Sequence, residues 1–143
     1  MDALDLSLRP PRGPRELLPN LDLFMIARTV DKLRATLPGG NLGVYQMKGF
    51  SARLLEALDI SEDELRAVVA RAQSDAEIAE WISEHSDPYG YFAINVAFEE
   101  RKVGDRLDDA AFVERYPVVK RLLPETSLLD MLSADDADMF ASR

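Results

Sequence analysis

The chain has 143 residues, of which 47% are hydrophobic and 30% are charged, and its formal net charge is −9. This length and composition are typical of one globular domain, and they exclude a disordered chain. The absence of cysteine excludes disulfides, thiolate metal sites and cysteine nucleophiles, and it favours a cytoplasmic location.

The charge is unevenly distributed along the chain. Residues 9–53 carry eight basic and three acidic side chains, whereas residues 54–143 have a net charge of −12. An acidic protein repels nucleic acid, so we expect no nucleic-acid partner. No apolar run reaches the ~20 residues that a membrane helix needs, and residues 1–12 lack the apolar stretch of a secretory signal.

Residues 1–19 are predicted to form an N-terminal arm rich in proline and arginine. Four prolines interrupt this segment, and proline inside a helix removes a hydrogen bond. Residues 20–143 are predicted to form a single helical domain. Its first helix is expected to start after Asn20, a good N-cap residue. The apolar stripe of this helix consists of Leu23, Ile26, Val30, Leu33 and Leu37.

Two capping boxes follow. Ser61 with Glu64, and Ser74 with Glu77, have the spacing at which a serine side chain and a glutamate side chain cap a helix N-terminus reciprocally. Before them, Ser51 is expected to cap a helix that reaches Leu58. The glycine-rich residues 42–48 are compatible with either a small β-hairpin or a loop.

The segment from Tyr89 to Phe98 is almost wholly apolar, so its periodicity does not separate a helix from a strand. We favour a helix, because the charged residues 99–102 extend the segment beyond ordinary strand length. The aromatic side chains in and near it are predicted to pack in the core. They are Trp81, Tyr89, Tyr91 and Phe92.

Later in the chain, Asp108 or Asp109 is expected to cap a short helix, and Ser133 with Asp136 to open a terminal one. The predicted fold is therefore all-α, a compact orthogonal bundle of six to seven short helices. The sequence is also compatible with one small β-hairpin near residues 42–48.

The order of these elements resembles a bacterial family catalogued as domain of unknown function 5069. The resemblance is carried by the Pro/Arg opening, the charged first helix, a glycine turn with a tyrosine, a short helix end and a closing segment. In this sequence they are Leu8–Arg15, residues 28–35, Gly43 with Tyr45, Leu58–Ile60 and Thr126–Asp136. The resemblance supports a single domain and implies no particular activity.

The chain lacks the common catalytic and phosphate-binding motifs, and its single histidine, His85, has no metal-binding companion in the sequence. We therefore predict no metal and no cofactor. Six side chains form the best candidate site, an anion site on the first helix and the glycine turn. They are Arg28, Asp31, Lys32, Arg34, Tyr45 and Lys48. The competing interpretation is a set of internal salt bridges that fixes the orientation of the first helix.

The leading functional hypothesis is a non-catalytic binding or protein-interaction module. Its basic first third is expected to take an acidic protein partner or a small anion, and a homodimer or head-to-tail pairing of two copies is also compatible with the charges. The alternative is a small enzyme that acts on an anionic metabolite through an Arg/Lys/Asp/Tyr site. An enzyme needs these side chains to converge in a concave pocket, whereas a module needs only an exposed face.

Overall fold

The computed structural model describes residues 1–141. Over these residues the chain is all-α, as predicted, with seven α-helices and no strand. The helices are α1 (Ile26–Ala35), α2 (Phe50–Leu58), α3 (Glu62–Arg71), α4 (Asp75–Glu84), α5 (Tyr91–Glu99), α6 (Ala110–Arg115) and α7 (Leu128–Phe140). Within the described residues, no helix is both long enough and apolar enough to cross a membrane.

The contacts of the chain fall into two units, Met1–Ile94 and the part that begins at Asn95. In the first unit, α1 packs against α2 and α3, and α3 packs against α4. In the second unit, the 3-10 helix Pro117–Arg121 packs against α6 and α7. The division into an arm of residues 1–19 and a domain of residues 20–143 stays a prediction.

The serine caps determine where several helices begin. Ser61 and Glu64 form the predicted capping box at the start of α3. At α4, Ser74 accepts from the backbone N–H of Glu77, but the glutamate accepts from Gln73 instead of from the cap residue. Capping satisfies donors that the first turn of a helix leaves unpaired, which explains why these starts could be read from the sequence.

The predicted cap at Ser133 is wrong. Helix α7 begins at Leu128, and Ser127 caps it by accepting from the backbone N–H of Asp130. Ser133 therefore lies inside the helix. Asp109 caps α6 through the N–H of Phe112, as expected.

The first helix is shorter than predicted, because α1 begins at Ile26 and not after Asn20. Asn20 and Met25 both adopt positive φ angles, of 57° and 71°, which are incompatible with a right-handed helix. The Met25 N–H donates to the carbonyl of Pro14, so the arm bonds the chain just before the helix starts. Four residues of the expected apolar stripe are nonetheless buried: Leu23, Ile26, Val30 and Leu33.

Helix α2, in contrast, begins two residues earlier than expected. Gly49 is its N-cap residue, with a φ of 81°, and no side chain caps it. Ser51 consequently lies within the first turn of the helix and is fully buried. Its side chain is available for contacts with α1, which matter for the candidate site.

Residues 41–49 form a loop and not a hairpin. Tyr45 N–H donates to the carbonyl of Leu42 in a turn, and the nearest strand-like feature is an isolated bridge between Asp5 and Asn41. That bridge belongs to the N-terminal segment, which is packed and not trailing: Leu6 N–H donates to Asn41, and the Leu6 side chain is buried.

The helix predicted over Tyr89–Phe98 is confirmed. A 3-10 turn, Pro88–Gly90, leads directly into α5. Asp87 starts the turn by accepting from the backbone N–H of Tyr89 at 3.0 Å. The helical conformation satisfies the backbone of an apolar segment without any strand partner.

Candidate functional site

Arg28 on α1 is one of the most deeply buried side chains of the protein, at 2% exposure. Its guanidinium carbon lies 5.5 Å from the centre of the Tyr45 ring, within the range of a cation–π contact. Its Nη1 donates to the carbonyl of Arg12 at 3.3 Å. The glycine turn therefore brings Tyr45 against α1, as the candidate site requires, but the tyrosine is itself buried.

Lys32 lies one turn further along α1 and is also buried, at 6% exposure. Its Nζ donates to the carbonyl of Gln46 at 3.0 Å and to Ser51 Oγ at 3.3 Å. The loop after Tyr45 and the first turn of α2 thus both contact this ammonium. Arg28, Lys32 and Tyr45 are the three predicted residues that the structure brings together.

Ser51 connects Lys32 to Thr29. Thr29 Oγ1 lies 2.9 Å from Ser51 Oγ and 2.7 Å from the carbonyl of Met25. A hydroxyl has one hydrogen, so whenever Thr29 donates to Met25, Ser51 supplies the hydrogen between the two hydroxyls. Ser51 then accepts from Lys32, which gives a continuous hydrogen-bonded chain through the buried interface of α1 and α2.

A serine beside a lysine also has the composition of a nucleophile and its base. Here the serine is fully buried and its hydroxyl is held by Thr29, so a substrate has no access to it. We interpret the contact between Lys32 and Ser51 as structural. Thr29 and Ser51 were not predicted as site residues, and no spacing in the sequence would have linked them.

Asp31 does not take part in the hydrogen bonds of Lys32, Ser51 and Thr29. It binds Arg12 of the N-terminal arm. The backbone N–H of Arg12 donates to Asp31 Oδ2 at 2.8 Å, and its guanidinium donates to both carboxylate oxygens. The same guanidinium binds Asp75, at the start of α4, at 2.8 Å. Burial opposes the charged form of Arg12, but the hydrogen bonds to Asp75 and Asp31 outweigh it and raise the pKa of this guanidinium above its ordinary value.

The remaining two candidates lie apart from the others. Arg34 is half-buried, and its Nε donates to the carbonyl of Asp2 at 2.8 Å. Lys48 is exposed at the end of the glycine turn. The six predicted residues therefore divide into a buried group (Arg28, Lys32, Tyr45), an ion pair with the arm (Asp31) and two separate cations.

A groove with a volume of about 560 Å³ lies in the second unit, beside α6. Leu107, Val113 and Pro117 supply apolar surface, and Glu114 and Lys120 lie among the lining residues. None of the six predicted residues lines this groove. No three acidic or histidine side chains among residues 1–141 are grouped so that they could hold a metal ion.

Aromatic side chains are exposed at the start of α5. The prediction of core packing is wrong for two of the four aromatic residues to which it applied. Tyr89 is 97% exposed and Phe92 is 79% exposed, whereas Tyr91 is buried. Trp81 is half-buried and stacks on His85, with ring centres 4.1 Å apart. His85 is exposed and lies at the C-terminal end of α4.

Acidic residues predominate in the stretch of chain that carries the exposed aromatic pair. No lysine or arginine occurs between Arg71 and Arg101, a stretch that contains seven acidic residues. Glu84 and Asp87 of that stretch are exposed beside Tyr89 in the chain. We call Glu84, Asp87, Tyr89 and Phe92 the acidic aromatic surface.

Comparison with known families gives a match over most of the chain. The family described as Domain of unknown function (DUF5069) matches residues 8–137, nearly the whole chain. A search of curated proteins finds no match. The chain therefore belongs to this family, which confirms the resemblance found in the sequence.

Proposed function

We propose that this member of the DUF5069 family is a non-catalytic protein-interaction module and that the acidic aromatic surface is its binding surface. The observation that carries the proposal is the exposure of Tyr89 and Phe92, three residues apart and so on one side of the turn that opens α5. Burial of an aromatic side chain removes about 150–250 Å² of surface from water, which is a large driving force for association. Exposed apolar surface rimmed by polar residues is typical of protein contacts.

The chemistry of the surface indicates the chemistry of the partner. Glu84 and Asp87 are exposed and lie five and two residues before Tyr89, so the segment that carries the aromatic rings is acidic. A partner with apolar side chains and a basic rim would gain both burial and electrostatic complementarity, and an acidic partner would be repelled. The predicted cytoplasmic location, which the absence of cysteine favours, belongs to the same proposal.

The burial of Arg28 and Lys32 also supports a module over the alternative of an enzyme for anionic metabolites. Both cations donate to groups of the same chain, and so little of either side chain is exposed that a dissolved anion has no route to it. Asp31, the aspartate of the enzyme hypothesis, is bound by Arg12. The anion site and a basic surface that takes an acidic partner stay predictions.

Selection from a random peptide library tests the proposal, because it requires no identified partner. We expect peptides that combine apolar and basic residues to be enriched on the wild-type protein. Their affinity, measured by titration calorimetry, should fall by at least about tenfold for the double variant Tyr89→Ser/Phe92→Ser. Leu123→Ser, which removes an exposed leucine elsewhere, is the matched control and should bind like the wild type.

Two results would contradict the proposal. One is the absence of any enriched peptide. The other is a set of peptides that bind the double variant as well as the wild type, since their site would then lie outside the acidic aromatic surface.

A further inference from the structure

A second exposed surface, of opposite character, lies in the same unit as Tyr89 and Phe92. Leu8 is 71% exposed and Val44 is 60% exposed. The two segments that carry them lie against each other, since Leu6 N–H donates to the carbonyl of Asn41 at 2.8 Å. At Gly43, whose φ is +63°, a side-chain carbon would lie only 3.3 Å from the backbone nitrogen of Ser7.

This second surface is basic. Arg9 follows Leu8 and Lys48 ends the glycine turn, and both side chains are exposed. Asp2 and Asp5 lie in the same N-terminal segment, and Asp5 accepts hydrogen bonds from the hydroxyl and the backbone N–H of Ser7. We call Leu8, Arg9, Val44 and Lys48 the basic apolar surface.

We infer that the partner of the acidic aromatic surface is a second copy of this chain, which offers its basic apolar surface in a head-to-tail contact. The inference rests on the proposed function, and it names the partner. Each surface carries two exposed apolar side chains with charges of one sign, and the signs are opposite. The chemistry required of the partner is thus present on the protein itself.

A symmetric contact of two acidic aromatic surfaces is disfavoured by the same charges. It would bring Asp87 of one copy close to the acidic residues of the other, and like charges placed opposite each other in an interface repel. A head-to-tail contact instead pairs Asp87 and Glu84 with Arg9 and Lys48. A head-to-tail dimer leaves one unused surface on each copy. Association therefore continues beyond two copies unless the rotation between neighbouring copies closes a ring.

Complementation of two blocked variants tests the inference. Phe92→Glu adds a charge to the acidic aromatic surface, and Arg9→Glu/Val44→Glu reverses the basic apolar surface. All three changes are at exposed positions, and circular dichroism will show whether each variant folds like the wild type. Sedimentation velocity from about 10 µM to about 1 mM covers the range in which small interfaces associate.

We expect the wild type to form species larger than a dimer as its concentration rises, and added salt to weaken them by about tenfold. Each variant alone should remain monomeric. An equimolar mixture should form a complex of twice the mass of one chain and nothing larger, since each variant has one intact surface. Leu123→Glu should associate like the wild type.

Three outcomes would overturn the inference. A wild type that stays monomeric at about 1 mM shows that a second copy is not the partner. If Arg9→Glu/Val44→Glu still forms dimers and Phe92→Glu does not, the contact is symmetric. A mixture that gives no complex excludes the head-to-tail pairing. In each case, peptides that require Tyr89 and Phe92 would still support the acidic aromatic surface as a binding surface. The absence of such peptides would contradict the proposed function as well.

Discussion

Arg12 binds Asp31 through both its backbone and its side chain. The backbone N–H donates to one carboxylate oxygen at 2.8 Å, and the guanidinium lies 3.0 Å from the other. Because the same guanidinium reaches Asp75, one arginine of the arm holds α1 and the start of α4. The N-terminal segment is thereby tied to the helices by ionic contacts as well as by its buried leucines.

Replacement of Arg12 by alanine should therefore lower the free energy of unfolding. Asp31 is nearly buried and would keep only the backbone N–H of residue 12 as a partner, so we expect a loss of about 2 kcal/mol. Arg121→Ala removes an exposed arginine paired with exposed Asp138 and should change stability by less than about 0.5 kcal/mol. Urea unfolding of both variants measures the difference, and equal effects would contradict a stabilising role for Arg12.

The hydrogen-bonded chain from Lys32 to Met25 gives a second prediction. Ser51→Ala deprives buried Lys32 of one acceptor and Thr29 of its neighbour, so it should cost about 1–2 kcal/mol. Ser83→Ala, which removes a hydroxyl bonded within the exposed surface of α4, should cost less than about 0.5 kcal/mol.

A double-mutant cycle with Thr29→Val distinguishes this chain from simple packing. We expect the combined loss of Ser51→Ala and Thr29→Val to be smaller than the sum of the single losses by about 1 kcal/mol, since each change disrupts the same hydrogen bond. Strictly additive effects would mean that the two hydroxyls act independently.

Local signals in the sequence predicted most of the helices, and long-range contacts account for the failures. Ser61 and Ser74 could be recognised as caps, because a cap depends on residues three positions apart. The late start of α1 depends on left-handed Met25, whose N–H binds Pro14 eleven residues earlier. No local pattern carries that information.

The candidate site shows the same limit. Arg28 and Lys32 are four residues apart and so lie on one side of α1, but no pattern in the sequence shows which groups cover them. The partner of Asp31 is Arg12, which lies nineteen residues away and outside the helix. In α5 the pattern was uninformative for another reason: almost every residue is apolar, so nothing in the sequence showed that Asn95 is buried while Phe92 is exposed.

The serine caps lead to a third prediction, a contrast between two exposed serines. Ser61→Ala removes the acceptor for the N–H of Glu64 and should destabilise the protein by about 1 kcal/mol. Ser133→Ala lies inside α7, where alanine is the better helix former, and should be neutral or slightly stabilising. Thermal unfolding of the two variants compares them, and a loss at residue 133 as large as that at residue 61 would indicate that Ser133 has a capping role after all.

Asp109 gives a prediction about pH. Arg106 donates to one of its carboxylate oxygens at 3.0 Å and the N–H of Phe112 to the other at 3.1 Å. The Arg106 contact and, after it, the Phe112 contact lower the pKa of Asp109 below its ordinary value of 3.8. We expect NMR titration of the Asp109 carboxyl to give a midpoint below 3.8, and Arg106→Gln to move that midpoint upward.

The sign of the effect on stability follows from the lowered pKa. The folded protein holds the charged carboxylate more tightly than the unfolded chain does, so the stabilisation is complete above pH 3.8 and is lost as the pH falls through the lower, folded pKa. Asp109→Asn keeps an N-cap acceptor but no charge, so its deficit relative to the wild type should be largest near neutral pH and should shrink at about pH 2. A deficit that is the same at both pH values would show that the carboxylate stabilises α6 only as a hydrogen-bond acceptor and that its charge contributes nothing.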